Sequence, residues 1–253
     1  MAENKKRIII LDELRGFAII CMIIHHAFLD VGDVLGLEWG YKVFNALCTV
    51  QPIFWAIFII ISGICSRLSR NTAKRGALVL GCALAITVVT AIIMPLFSFV
   101  GAEIYFGILH CLGICMIITG ISMPLIKKIN YKTGMAVCAV IFLITYGVEV
   151  RELFFGLVEL PESLYTTNWA MAFGFHNNDF YSADYFPLIP WLFLFLFGAF
   201  AGEYVIKGNL PEWAYKNHVK IFSAVGKHSL WIYLAHQPVI YGIFLLIYFV
   251  FMQ

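Results

Sequence analysis

Arg15 and His26 are eleven residues apart in the stretch DELRGFAIICMIIHHAF, which runs from Asp12 to Phe28 and is otherwise apolar enough for a lipid bilayer. At about 100° per residue, eleven residues bring the chain back to within ~20° of one helix face, ~16 Å further along the axis. One face therefore carries a guanidinium at one depth and an imidazole at another. Ionisable groups inside a membrane are costly, so they usually face the bundle interior and mark a pathway or a site. The plain alternative is that Arg15 snorkels to cytoplasmic headgroups and the histidines sit at the outer interface. His25 points about 100° away from His26 and reads as structural.

Other stretches repeat the pattern. YFGILHCLG places His110 one to two turns below the outer surface. SADYFPLIPW puts Asp184 and Tyr185 ahead of a helix start made by Pro187 and Pro190, where Asp184 can serve as an N-cap, as a functional acid, or as both. Trp191 reads more readily as a packing or belt residue than as a catalytic one. In GKHSLWIYLAHQPVI, Ser229, Tyr233 and His236 are spaced i, i+4, i+7 and form one polar stripe, with Gln237 beside it. Pro238 loosens that helix, so freed carbonyls can face a cavity. Interhelical hydrogen bonding is the plain reading of the stripe, but it does not explain a histidine midway through the membrane. His176 and His218 read as loop residues on the surface. The seven cysteines form no framework and read as reduced core residues. Cys111 and Cys115 share a helix face without a metal-binding spacing around them, so no metal is expected.

These residues need membrane helices to hold them. The chain has 253 residues, 62% apolar and 13% charged, against about 25% charged in an average soluble domain. An all-α polytopic membrane bundle follows. Seven apolar spans are predicted, at 8–29, 46–65, 77–99, 105–126, 133–148, 186–206 and 228–250. The segment 149–185 has room for a re-entrant or interfacial helix. Asp12, Glu13 and Arg15 interrupt the first run, which argues against a cleavable signal. No repeat or composition break divides the chain, so 1–253 is expected to be a single integral-membrane domain.

Lys and Arg set the orientation. Of 17 basic residues, 14 fall at one set of span ends: Lys5, Lys6 and Arg7; then Arg67, Arg70, Lys74 and Arg75; Lys127, Lys128 and Lys132; and Lys207, Lys216, Lys220 and Lys227. Only Lys42 and Arg151 lie at the opposite ends. The N-terminus is thus expected in the cytoplasm and the C-terminus outside, with Asp30, Glu103, Asp179 and other acids on the outer segments. The basic inner side, with Arg15 and Lys227, can attract an anionic cofactor, although positive-inside sorting accounts for most of the charge.

LDELRGFAIICMIIHH, FGILHCLG, DYFPLIPW and GKHSLWIYLAHQPV together resemble the bacterial membrane family related to heparan-α-glucosaminide N-acetyltransferase, within a wider superfamily of transmembrane acyltransferases. The four stretches cover nearly the whole chain. In the superfamily an arginine is followed, after ten intervening residues, by a histidine in the first helix. Arg15 and His26 match that spacing and His25 does not. His236 matches a histidine in a late helix of the glucosaminide enzyme. The chain is shorter than that enzyme, lacks a large luminal domain, and offers no secure counterpart of its luminal-loop histidine.

The resemblance implies transfer of an acyl group, most readily acetyl, from cytoplasmic acetyl-CoA to a glycan or aminosugar acceptor outside a bacterial cytoplasmic membrane. An ordinary imidazole titrates near about 6.5 and can serve as base. His26 is the first choice, as base or transient acyl carrier, and His236 the second. Asp184 would orient an imidazole or hold an aminosugar. Arg15, Ser229, Tyr233 and Lys227 are candidates for the CoA side; His110, Tyr185, Trp191 and Gln237 are candidates for the acceptor side. The bilayer is an obligate partner, no nucleic-acid partner is expected, and a homodimer is suggested by analogy with the larger enzyme. Two other classes compete: a transporter or channel with a His/Asp relay, and an inactive binding protein on the acyltransferase fold. The absence of an inverted repeat in the hydropathy weighs against transport.

Overall fold

A computed structural model describes residues 7–98, 101–208 and 210–251. In chain order the helices are α1 (Ile9–Asp33), α2 (Glu38–Cys48), α3 (Gln51–Leu68), α4 (Thr72–Leu96, with a π turn over Val88–Ile93), α5 (Ile108–Ile126), α6 (Tyr131–Thr145), α7 (Trp191–Ile206), α8 (Lys220–Lys227) and α9 (Ser229–Phe251). The protein is an all-α polytopic membrane bundle. Among the described residues, six helices are long and apolar enough to cross a membrane: α1, α3, α4, α5, α9, and the helical stretch from Tyr131 to Val150. The predicted span at 186–206 falls on α7, which has 16 residues and is ~24 Å long at 1.5 Å per residue. Its first five expected residues are not helical, because Pro187 and Pro190 each disfavour helical geometry in the residue before them. Lys5, Lys6 and Phe99 lie outside the described residues.

The chain forms two compact units, one from residues up to Ile61 together with those from Leu210 onward, the other from Ser62 to Asn209. In the first unit α1 is the organising element. It packs on α8 through a backbone-to-backbone contact: a Cβ on Gly16 would lie 1.9 Å from the Phe222 carbonyl oxygen, and one on Gly226 would lie 1.8 Å from that of Asp12. Small residues let helices approach this closely. Phe17 seals the crossing edge-on to Phe54 and Phe222. The start of α8 is capped from α1. Glu13, buried, accepts from the His218 N–H at 2.6 Å and the Val219 N–H at 3.0 Å. A carboxylate here satisfies helix N–H groups that have no intrahelical partner and complements the positive helix end.

The C-terminal part of α1 runs to Asp33, past the predicted end at Leu29, because α2 folds back against it. Asp30, Val31 and Gly32 are buried there, and the Tyr41 hydroxyl donates to Asp33 Oδ1 at 2.6 Å. Helix α2 was not anticipated from the sequence. It turns Gly40 inward and leaves Trp39, Tyr41 and Lys42 exposed.

In the second unit α4 pairs with α5, and α6 with α7 around Ile126, Cys138 and Phe200. Arg67, near the end of α3, is ion-paired with Glu203 of α7. The segment 149–185 holds no α-helix, contrary to the re-entrant or interfacial helix allowed for it. It forms 3-10 turns and a two-stranded hairpin, Glu152–Leu153 with Val158–Glu159. Side-chain-to-backbone bonds hold it in place: the Tyr165 hydroxyl donates to the Val148 carbonyl and that of Tyr185 to the Met171 carbonyl.

Candidate functional site

The first unit brings His26 and His236 together. His236 Nε2 lies 3.1 Å from His26 Nδ1, with the rings tilted by 37°. The proton positions follow from the partners. His236 Nδ1 faces the Tyr233 carbonyl oxygen one turn earlier on α9. A carbonyl can only accept, so Nδ1 carries the hydrogen and a neutral His236 presents Nε2 as a lone pair. His26 must then donate from Nδ1, and its lone pair is at Nε2. No described residue hydrogen-bonds to that nitrogen. The arrangement has the logic of a nucleophile or base held in one tautomer by a second group behind it.

Beside this pair, Gln237 Nε2 donates to both carboxylate oxygens of buried Asp30, at 3.0 and 3.2 Å. Asp30 is one turn beyond His26 on α1, so the two share a face. It was placed on an outer segment by sequence reasoning, because the first span was ended at Leu29. The i, i+4 spacing from His26 was the signal that would have found it.

His25 faces elsewhere, as the helical geometry predicted. Its Nε2 lies 3.4 Å from Cys48 Sγ and its Nδ1 3.4 Å from Gln51 Nε2, and the ring packs on Phe44 at 4.3 Å. It fastens α2 and the start of α3 to α1.

Arg15 sits at the other end of the α1 face. Its Nη1 reaches the Gly226 carbonyl oxygen at 3.3 Å and Asp12 Oδ1 at 3.4 Å, while Arg7 Nε meets Asp12 Oδ2 at 2.6 Å. A guanidinium at the end of α8 complements the negative helix terminus. Lys227, in the last turn of α8, is exposed, and Ser229 opens α9. Tyr233 contributes to the pair through its carbonyl, and its ring centroid is 5.3 Å from that of His236. His218, expected as an ordinary surface residue, faces Glu13 at 3.3 Å.

The other expected site residues lie in the second unit. Asp184 Oδ2 accepts from the Ile108 N–H at 3.2 Å, so it caps the start of α5 rather than the helix that follows it in sequence. His110 closes the same turn. Its Nδ1 accepts from the Gly107 N–H at 3.1 Å, so its hydrogen is on Nε2, which lies 3.1 Å from Thr87 Oγ1. Tyr185 is tied to Met171 and packs edge-on to His176 and Phe180. Trp191 stacks on Phe186 at 4.7 Å and packs against Phe142.

Residues 7–238 match the family model described as heparan-alpha-glucosaminide N-acetyltransferase, catalytic. No curated protein and no solved structure matches the chain.

Proposed function

The chain belongs to the family of the heparan-α-glucosaminide N-acetyltransferase catalytic domain, and on that premise we propose that it moves an acetyl group from cytoplasmic acetyl-CoA to an amine or hydroxyl of a glycan acceptor on the outer side of a bacterial cytoplasmic membrane. The observation that carries this reading is the hydrogen-bonded pair of His26 and His236, which leaves a lone pair on His26 Nε2.

Attack of an amine or hydroxyl on a thioester needs a base, and a positioned imidazole typically contributes about 10²–10⁴-fold. In the proposed step, His26 Nε2 takes the proton as the acceptor's nitrogen or oxygen bonds to the thioester carbonyl carbon. The carbon–sulfur bond then breaks, and the proton passes from His26 to the departing thiolate. While His26 is an imidazolium, its Nδ1–H remains directed at His236 Nε2, which spreads the charge and keeps the ring in place. His236 is therefore a positioning residue. Asp30 and Gln237 hold α1 and α9 in register next to the pair. Asp184 is assigned to the start of α5 and not to the chemistry.

Acetyl-CoA is long, with phosphates and thioester at opposite ends. Arg15 and His26 lie at opposite ends of one helix face, ~16 Å apart along the axis, which suits phosphates near Arg15 and exposed Lys227 and a thioester near His26. The alternation of basic span ends supports a cytoplasmic N-terminus and an outer C-terminus.

The test uses the full chain in proteoliposomes with radiolabelled acetyl-CoA and a set of amine-bearing and hydroxyl-bearing saccharides. The expected result is label on an acceptor, lost in His26→Ala protein that folds normally. If no CoA thioester is bound or consumed with any acceptor, the reading fails.

A further inference from the structure

The hairpin of the second unit is charged at its base and apolar at its tip. Residues 151–160 read RELFFGLVEL, with no polar side chain between Glu152 and Glu159. Turn positions with positive φ normally take Gly, Asn or Asp, which tolerate that geometry and suit water. Here Phe154 and Phe155 have φ of 52° and 58°, a region where bulky side chains are rare, and Gly156 follows at 89°. The bulk is also turned outward: Phe155 is 68% and Leu157 84% exposed. Strained phenylalanines facing away from the protein are the reverse of what a turn in water selects.

The position of the hairpin supplies the reason. It follows directly on the apolar stretch from Tyr131 to Val150 and folds back along its last turn. Phe154 N–H donates to the Ile144 carbonyl at 2.9 Å and Glu152 N–H to the Gly147 carbonyl at 2.8 Å, so the hairpin takes up carbonyls at the helix end. The Phe155 ring centroid lies 6.5 Å from that of Tyr146. Tyr146 itself ends a row of exposed apolar residues on α6, after Val137, Val140 and Leu143. The exposed apolar row of a membrane-spanning helix thus continues onto the tip. At the base, Arg151 pairs with Glu159 at 3.2 Å and lies 5.9 Å from the centre of the Tyr165 ring. Arg and Tyr side chains suit headgroup level. Leu153 pairs with Val158, and Leu160 N–H donates to the Arg151 carbonyl at 2.7 Å. Backbone groups satisfied within the hairpin meet the demand of apolar surroundings.

We propose that the tip, residues 154–157, is inserted among the lipid acyl chains of the leaflet at the Val150 end of α6, with Arg151, Glu152 and Glu159 at headgroup level. The hairpin would then be a membrane-contacting element in addition to the spanning helices. Nothing in this inference depends on the acetyltransferase reading.

The test places a tryptophan at the tip of the full chain, as Leu157→Trp and separately as the more conservative Phe155→Trp, in phosphatidylcholine proteoliposomes. The emission added over wild type is followed with two quenchers: phosphatidylcholine brominated on its acyl chains, and iodide on both sides of the bilayer. Brominated lipid is expected to remove most of the added emission in both variants, and iodide to remove little of it. The added emission is also expected to be blue-shifted from that of tryptophan in water. The proposal is overturned if iodide quenches the added emission and brominated lipid does not, because the tip then stands in water. It is equally overturned if neither quencher reaches the tip, because protein, such as a second copy of the chain, then covers it.

Discussion

His236 Nε2 accepts a hydrogen bond from His26 Nδ1 across 3.1 Å, and the Tyr233 carbonyl behind His236 fixes which nitrogen of each ring carries the hydrogen. Two residues 210 positions apart thus form one hydrogen-bonded pair.

Unequal effects are expected from the two rings. His26→Ala should lower acetyl transfer by at least about 10²-fold. His236→Ala removes one orienting hydrogen bond, worth about 1 kcal/mol, and should cost roughly fivefold. His236→Asn, whose amide can still donate to Tyr233 and accept from His26, should recover part of that loss. Equal losses in H26A and H236A, with no recovery in H236N, would contradict the assignment of His236 as a positioning residue. The measurement is kcat at saturating acetyl-CoA for each variant.

Much of this unit was legible in the sequence, and its gaps have physical causes. The Arg15–His26 spacing and the His236 stripe are periodic signals within single helices, so they survive without knowledge of tertiary partners. Asp30 was misplaced because a helix end inside a membrane protein is set by what packs on it, here α2, and not by where the apolar run stops. Helix α2 itself is only 11 residues long, too short for the length rule that finds spans. Asp184 reads in the sequence as a cap of the helix that follows it, whereas its partner Ile108 lies 76 residues away, and a long-range pairing leaves no local trace. Asp12 and Glu13 were read only as interruptions of an apolar run, whereas the fold uses them to hold Arg7, Arg15 and the start of α8.

The Asp30–Gln237 contact should matter for stability. Gln237→Leu removes the amide nitrogen that donates to both oxygens of a buried carboxylate, and an unsatisfied buried acceptor costs about 1–3 kcal/mol, more when charged. Q237L is therefore expected to lower the Tm of the detergent-solubilised protein clearly. The double variant Asp30→Asn with Gln237→Leu should recover stability, because the acid no longer has to be buried as a charge. If Q237L and wild type melt together, the contact contributes nothing.

Glu13 gives a test of the α8 cap. Glu13→Ala leaves the His218 and Val219 N–H groups without their acceptor, and loss of a cap costs about 0.5–2 kcal/mol. Glu13→Gln keeps one side-chain oxygen as an acceptor and should lose less. Hydrogen exchange at Val219 and along Lys220–Lys227 should accelerate in E13A. Unchanged exchange there would mean that α8 is held by its packing on α1 alone.

The Gly16–Gly226 crossing links that packing to Arg15, the residue proposed for the donor side. A methyl group on Gly16 would sit 1.9 Å from the Phe222 carbonyl, and because the obstacle is backbone, no side chain can move aside. Gly16→Ala should therefore push α8 off α1 and cost about 3 kcal/mol or more. Gly81 is the control: a Cβ there meets nothing within 4 Å, so Gly81→Ala in α4 should be neutral or stabilising by about 0.5–1 kcal/mol. The same shift in G16A withdraws the Gly226 carbonyl that Arg15 reaches at 3.3 Å. With one of its anchors withdrawn, Arg15 should hold the phosphates of acetyl-CoA less well. The KM for acetyl-CoA is thus expected to rise in the fraction of G16A that folds, while the acceptor KM stays near that of wild type. A Tm for G16A equal to that of G81A would show that α1 and α8 do not meet through their backbones.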